Sequence, residues 1–442
     1  MALLAVAVAA APAVAWLISE EYWRTLALLS LVGLLPFARR WPVTLVFGAY
    51  IFLIPFTSVA VVADSGGMTI TKLIGVMAAG ILLAVGLVER RLVAPPRAAL
   101  WVFLLVLWAM VSLAWSVALE SSVTRVPTAL SLLSLYLVAV SFRVSERELR
   151  VVCLLAMVGG VMAATAGIIL GFDADPGLRA RGTLRVAEQA ANPNGVAQSL
   201  LLPLSVGVAA FLISRSVWQK LLAIAAVGAI GAGILLTMSR GSLVAMIVMM
   251  CVWLFRVRVR WQVLLIIGAL AALLPLMPDL FFLRVTNLIT GEESTGAGRT
   301  EIWKVGLSLL QRVGWLGSGV DSFPTVYSVH GVPGHPTGAH NTLLSTSIEL
   351  GVVGVVLLVL AVFSHLRMAR ASTSSMPGAA FAAAIEAACF GAVVTACFGD
   401  DLWTKTFWLP WILAVWSSRI STVGSAESYE TVPKPLRLSA GL

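Results

Sequence analysis

Long apolar blocks separated by short polar junctions run from the first residues almost to the end of the chain. They lie at 3–18, 25–38, 43–62, 73–88, 99–115, 126–142, 151–171, 197–214, 221–238, 242–255, 262–278, 342–364, 379–398 and 406–418, fourteen in all. A helix needs about 20 apolar residues to cross about 30 Å of hydrocarbon at 1.5 Å per residue. Several blocks are shorter than that, so twelve spans result if the first pair, or the 221–255 pair, is interfacial or re-entrant. A β-barrel would instead show alternating strands of about ten residues. The pattern therefore predicts an all-α polytopic integral membrane protein with about 12–14 transmembrane helices.

The junctions orient the helices. Arg39/Arg40, Arg90/Arg91/Arg97, Arg143/Arg147/Arg150, Arg215/Lys220, Arg256/Arg258/Arg260 and Arg367/Arg370 occupy alternate loops, and Arg419, Lys434 and Arg437 follow in the tail. Short cytoplasmic loops collect Lys and Arg, so these junctions and both termini are assigned inside. The opposite loops lie near Glu20–Arg24, Asp64–Lys72, Trp115–Arg125, Phe172–Val196, Ser239–Gly241, Asp279–His340 and Gly399–Lys405. The chain divides into N-terminal helices (1–170), helices with outward arginine-bearing loops (171–278), a long outward loop with short interfacial helices (279–341), C-terminal helices (342–420) and a tail (421–442) expected to be disordered.

Composition agrees with the pattern. Hydrophobic residues make up 60% and charged residues 12%, against roughly 25% charged in soluble domains. A net charge of +9 would suit nucleic acid, but the cations sit in loops as membrane topology requires. Cys153, Cys251, Cys389 and Cys397 all fall in apolar runs and read as small buried hydrophobes. Without a charged leader or convincing cleavage site, the first block reads as a helix rather than a removed signal.

Polar interest concentrates in three outward clusters. The first is Arg179, Arg181 and Arg185, followed by Asn192-Pro193-Asn194-Gly195, a turn and cap signal. It serves equally as loop and cap or as a donor-rich phosphate site at a helix N-terminus. The second is Ser239-Arg240-Gly241 between two apolar runs. An arginine there can snorkel to the interface or hold an anion with its fixed fork of donors.

The third cluster is the long outward segment, which holds three of the four histidines. Glu301–Val313 reads as an amphipathic interfacial helix, with Ile302, Trp303, Gly306, Leu307 and Leu310 on one side. Arg299 at its N-terminal end opposes the helix dipole, a conflict that a bound anion would relieve. His340-Asn341 stands at the mouth of the next span, with Glu349 two turns further on. His330, His335 and His340 recur every five residues, which is not a helical metal spacing, and no metal or cofactor is expected. Glu349 and Glu386 lie inside apolar runs, where charge is costly, and should face the protein interior. Asp400 and Asp401 cap another outward loop and fit a structural role as well as a functional one.

The order RxRGT…NPNGVA, SRG, GRTEIW…GSGVDSF…AHN…ELGVVG over about residues 170–360 resembles the O-antigen ligase/polymerase superfamily of bacterial envelope proteins. The resemblance implies a glycosyltransferase of the inner membrane with its site on the periplasmic face. The donor would be a glycan on undecaprenyl diphosphate, and the acceptor lipid A-core or a growing glycan. It implies His340 as the catalytic histidine, with Arg240, Arg299 and Arg181 as diphosphate contacts. Arg185, Asn192, Asn194, Arg284, Trp303, Asn341 and Glu349 are further candidate substrate contacts.

The chemistry is coherent on its own terms. A lipid diphosphate is already a good leaving group, so the site needs positive charge for the departing phosphate and a base for the acceptor hydroxyl. Arginines and a histidine supply these, and direct attack would invert the anomeric centre. Ligation to lipid A-core and polymerisation of repeat units use the same groups. A transporter is the competing class. It predicts ionisable groups and broken helices at the midplane with internal repeats, whereas polar interest here lies on one face.

Overall fold

The computed structural model describes residues 40–58, 70–172, 193–257, 260–277, 282, 286, 299–331, 336–371 and 379–430. The expected spans at 3–18 and 25–38 lie outside the described residues, as do Arg179, Arg181, Arg185, Asn192, Arg284 and His335.

Among the described residues the protein is an all-α polytopic membrane protein with no strand beyond one isolated bridge, Leu92 to Phe142. Its helices are α1 (Gly48–Leu53), α2 (Ile70–Val88), α3 (Arg97–Val111), α4 (Leu119–Val140), α5 (Glu146–Phe172), α6 (Pro193–Ile213), α7 (Val217–Leu236), α8 (Arg240–Arg256), α9 (Arg260–Ala271), α10 (Arg299–Val313), α11 (Phe323–Val326), α12 (Thr342–Ala371), α13 (Ala379–Ala396) and α14 (Lys405–Glu430). Seven described helices are long and apolar enough to cross a membrane: α3 with the turn after it, α4, α5, α6, α7, α12 and α13. Helices dominate because hydrocarbon offers the backbone no hydrogen-bond partner, so each span must satisfy its own N–H and C=O groups.

Helix boundaries depart from the sequence reading in two places. α4 starts at Leu119 rather than near residue 126, because Val117, Ser122 and Arg125 are held by the segment after α10, bonding Ser318, Val320 and Asp321. α14 continues to Glu430, where a disordered tail after Ser421 was expected. Once its buried stretch Phe407–Trp416 is fixed, each further residue adds one hydrogen bond without a new nucleus.

α6 and α13 form the most enclosed part of the bundle, packing on each other, with α8 along α13 and α5 and α7 along α6. Small residues along α13 (AAFAAAIEAACFGAVVTA) permit this close approach, the usual basis of helix association in lipid. Both carboxylates expected to face inward are buried, Glu349 at 7% and Glu386 at 1% exposed. Arg256, at the end of α8, reaches Glu386 at 2.5 Å, so that charge is paired.

α12 is broken at Gly351, whose φ of 64° and ψ of −162° leave the helix. The turn Trp315–Gly319 occupies the break. Val352 N–H donates to the Trp315 carbonyl (3.0 Å), Ser318 N–H to Ile348 (2.9 Å) and Gly319 N–H to Glu349 (2.8 Å), while Trp108 Nε1 donates to Leu350 (2.9 Å). A Cβ on Gly351 would run into the Trp315 carbonyl, and one on Gly317 into the backbone of Glu349. Glycine is required at both positions by positive φ and by close approach together.

Candidate active site

The helix directions decide what gathers at one end of the bundle. α6, α8, α12 and α14 all begin there, and their first residues line a single cavity of about 190 Å³. Asn194 and Gly195 come from the start of α6, Ser239, Gly241 and Ser242 from the start of α8, His340 from just before α12, and Thr404 from just before α14. The end of α13 and its loop add Thr395, Phe398, Gly399, Asp400 and Asp401. Each helix N-terminus carries about half a positive charge and N–H groups without helical partners. Four of them around one cavity make a place that favours an anion.

Ser239 caps α8, its Oγ accepting from Ser242 N–H (3.4 Å) and donating to Asn194 Oδ1 (2.8 Å). That pair ties the α6 and α8 starts together. Arg240 and Arg299 are the first residues of α8 and α10. The two guanidiniums are near enough to repel. Burial, then the charge of Arg240, lower the Arg299 pKa below its ordinary value, while Asp400 opposes the shift. Arg299 Nε is buried with no hydrogen-bond partner among the described residues. Like charges held half-buried together are a cost that a bound anion would relieve.

His340 adopts φ +48°, a left-handed conformation uncommon outside glycine. Three neighbours hold it. Its N–H donates to Asp400 Oδ2 (3.0 Å), Trp303 Nε1 donates to the preceding carbonyl of Ala339 (3.0 Å), and Asn341 Oδ1 accepts from Leu344 N–H (3.0 Å) to start α12. Strained backbone of this kind persists where surrounding contacts over-determine it. Beneath, Ile302, Leu309, Phe323, Val326, Tyr327, Ala339, Leu344 and Ile348 form a small apolar core that seats α10 on α12. The buried side of α10 runs through Ile302, Gly306 and Leu309. Leu307, expected on that side, is 59% exposed. The two rows are neighbouring stripes on the same helix, and contact with Leu344 selects the first.

Of the sequence candidates, His340 and Asn194 line the cavity, and Arg240 adjoins it as the neighbour of Ser239 and Gly241. Arg299 is coupled to Arg240 and Asp400. Trp303 and Asn341 shape the loop that carries His340. Glu349 faces elsewhere, its two oxygens accepting from Asp321 N–H (3.0 Å) and Phe323 N–H (3.3 Å). Among the described residues, no three His, Cys, Asp or Glu side chains group so as to hold a metal ion. Sequence reasoning passed over Gln198, Ser242, Thr395, Phe398 and Thr404. Their only signal was a polar or aromatic side chain at the end of an apolar run.

With this geometry in view, the comparison with protein families gives one likeness. Residues 224–359 match the O-antigen ligase family. The matched stretch starts within α7 and ends within α12, so it includes Arg240, Arg299, Trp303, His340, Asn341 and Glu349. The α6 start and the α13–α14 junction, which complete the cavity, lie beyond it. A comparison with curated proteins gives no match. The long apolar helices mark a multi-pass membrane protein, and under a third of the chain is similar to the O-antigen ligase family.

Proposed function

We propose that this chain is an O-antigen ligase-type glycosyltransferase that moves a glycan from undecaprenyl diphosphate to a hydroxyl of lipid A-core. The reaction would take place at the periplasmic face of the bacterial inner membrane. The observation that carries this reading is the cavity itself. One histidine in a constrained backbone shares it with four helix N-termini, and Arg240, between two lining residues, is coupled to the half-buried Arg299.

The diphosphate sits against Arg240 and Arg299, where positive charge is fixed before the ligand arrives. His340 accepts the proton of the acceptor hydroxyl as the acceptor oxygen bonds to the anomeric carbon. The bond from that carbon to the phosphate oxygen breaks, and undecaprenyl diphosphate leaves with the electron pair. Attack opposite the leaving group inverts the anomeric centre. The proton goes to imidazole and the charge to the diphosphate, so the step balances without a cofactor.

The test is transfer by purified protein in liposomes given an undecaprenyl-diphosphate glycan, with and without lipid A-core, beside a His340→Ala control. Modified lipid A-core that is lost in the control supports the ligase. Longer lipid-linked chains formed without lipid A-core would make the protein a repeat-unit polymerase on the same residues. Wild-type protein that moves the lipid-linked glycan across the bilayer but joins nothing would replace the proposal with transport. A reporter fused after Gly319 should read as extracytoplasmic, and a cytoplasmic result would sink the assignment of face.

A further inference from the structure

Away from the arginines, the cavity has a second surface of different chemistry. Gln198, one turn into α6, is locked at both ends. Its Nε2 donates to Asp401 Oδ2 (2.5 Å) and to Thr395 Oγ1 (2.9 Å), and its Oε1 accepts from Thr406 Oγ1 (3.1 Å). Thr406 Oγ1 also lies 3.3 Å from Thr404 Oγ1, and Asp401 N–H donates to Thr342 Oγ1 (2.8 Å). Asp401 is 7% and Thr395 5% exposed, and both still line the cavity with Gln198 and Thr404. Phe398 lines it too and packs against Trp303 with centroids 6.4 Å apart.

Gln198, Thr395, Thr404, Asp401 and Phe398 make a rigid set of neutral donors and acceptors with one carboxylate and one aromatic face, and none of these five side chains is a cation. Such a surface is a poor partner for phosphate. It matches a ligand with hydroxyls on its edge and C–H groups on its face, that is, a sugar ring. A carboxylate has about four acceptor sites, and Gln198 and Thr395 account for two, leaving capacity for vicinal hydroxyls. The cavity volume of about 190 Å³ is far more than the roughly 10–15 Å³ that one water needs on the same measure, so a ligand of several heavy atoms has room.

We propose that Gln198, Thr395, Phe398, Asp401 and Thr404 form a sugar-ring subsite beside the diphosphate site, reading one pyranose by its hydroxyls and its apolar face. This rests on the transferase reading for its substrates, but not for its test. The ring belongs either to the sugar attached to the donor diphosphate or to the acceptor sugar of lipid A-core.

Binding is measured by quenching of intrinsic tryptophan fluorescence on the full chain in nanodiscs, with four probes. These are undecaprenyl diphosphate, the same lipid carrying one hexosamine, lipid A, and lipid A-core. In one of the two pairs the sugar should tighten binding about tenfold. Asp401→Asn and the shape-conserving Gln198→Met should remove most of that gain and leave the sugar-free lipid unchanged. A gain in the first pair assigns the ring to the donor, and a gain in the second to the acceptor. No gain in either pair for wild type, or an undiminished gain in both variants, overturns the subsite. If wild type shows the gain but no transfer, the subsite stands and the transferase reading fails.

Discussion

Glu349 and Arg299 are both ionisable groups enclosed where the segment before α12 meets the bundle, yet their surroundings differ. Around Glu349 every partner is internal. The Asp321 and Phe323 amides donate to its oxygens, Arg125 holds Asp321 at 2.7 Å, and the break at Gly351 is closed by Ser318, Gly319, Trp315 and Trp108. Around Arg299 burial and the charge of Arg240 act against its own, and Asp400, which lines the cavity, opposes them. Among the described residues Arg125 Nε and Arg299 Nε are both buried without a hydrogen-bond partner, but Arg125 has its carboxylate. The first region is complete as it stands. The second becomes electrostatically reasonable when an anion enters, and that contrast separates architecture from site.

The sharpest way to break the contrast is to alter the open region and find folding lost. His340→Ala should lower transfer by about 10²–10⁴-fold, the usual share of a general base, with unchanged thermal stability. Arg240→Lys should cost about tenfold or more in donor affinity, because a point charge cannot reproduce bidentate phosphate contact. A variant of either kind that fails to fold would place these residues in the architecture after all.

The closed region should behave in the opposite way. Glu349→Ala strands two buried amides and should lower stability by about 3 kcal/mol, at 1–3 kcal/mol per unsatisfied group. Gly351→Ala combines positive φ with a clash and should cost a similar amount. In both, the folded fraction should retain the wild-type KM for donor in a titrated assay. A tenfold rise in that KM for Glu349→Ala would move Glu349 into the site.

Asp401 gives a pH handle on the boundary. Burial raises its pKa from 3.8 to about 6, with Asp400 adding to the shift and the Gln198 hydrogen bond opposing it. The folded state therefore keeps a proton that the unfolded state has lost, so stability falls as pH rises from about 4 through about 6. Over that window the loss should reach about 2–3 kcal/mol by linkage. Asp401→Asn should flatten the dependence in melting curves from pH 4 to 7, and an unchanged slope would reject the shift.

Much of this was legible in the sequence, for a reason particular residues make clear. Uninterrupted apolar runs force helices, so the spans from residue 43 onward could be read from hydropathy. Arg240 and Arg299 stood out because short outward loops tend to shed Lys and Arg, and His340 because the motif order resembled a known family. Gln198 did not, since its partner Asp401 lies 203 residues away and only folding brings α6 to the α13–α14 junction. Glu349 could be read as buried, but its partners are backbone amides of Asp321 and Phe323, which leave no trace in side-chain chemistry. The break at Gly351 was equally silent, because ELGVVG fits an unbroken apolar helix as well as a kinked one.

The smallest expected effect tests whether Arg125 belongs with the closed region. Its pair with Asp321 is partly open, with side chains 35% and 24% exposed. Such pairs contribute under about 1 kcal/mol. Arg125→Met keeps the aliphatic stem and removes only the charge. The amide of Asp321 would still donate to Glu349, and Gly319 would still close the break in α12. The melting temperature should therefore move little, and donor KM should stay within about twofold. If transfer collapsed while the melting curve held, Arg125 would be a third cation serving the anion rather than a tether for Asp321. The two regions would then be one continuous site, and the distinction drawn from Glu349 and Arg299 would fail at its weakest contact.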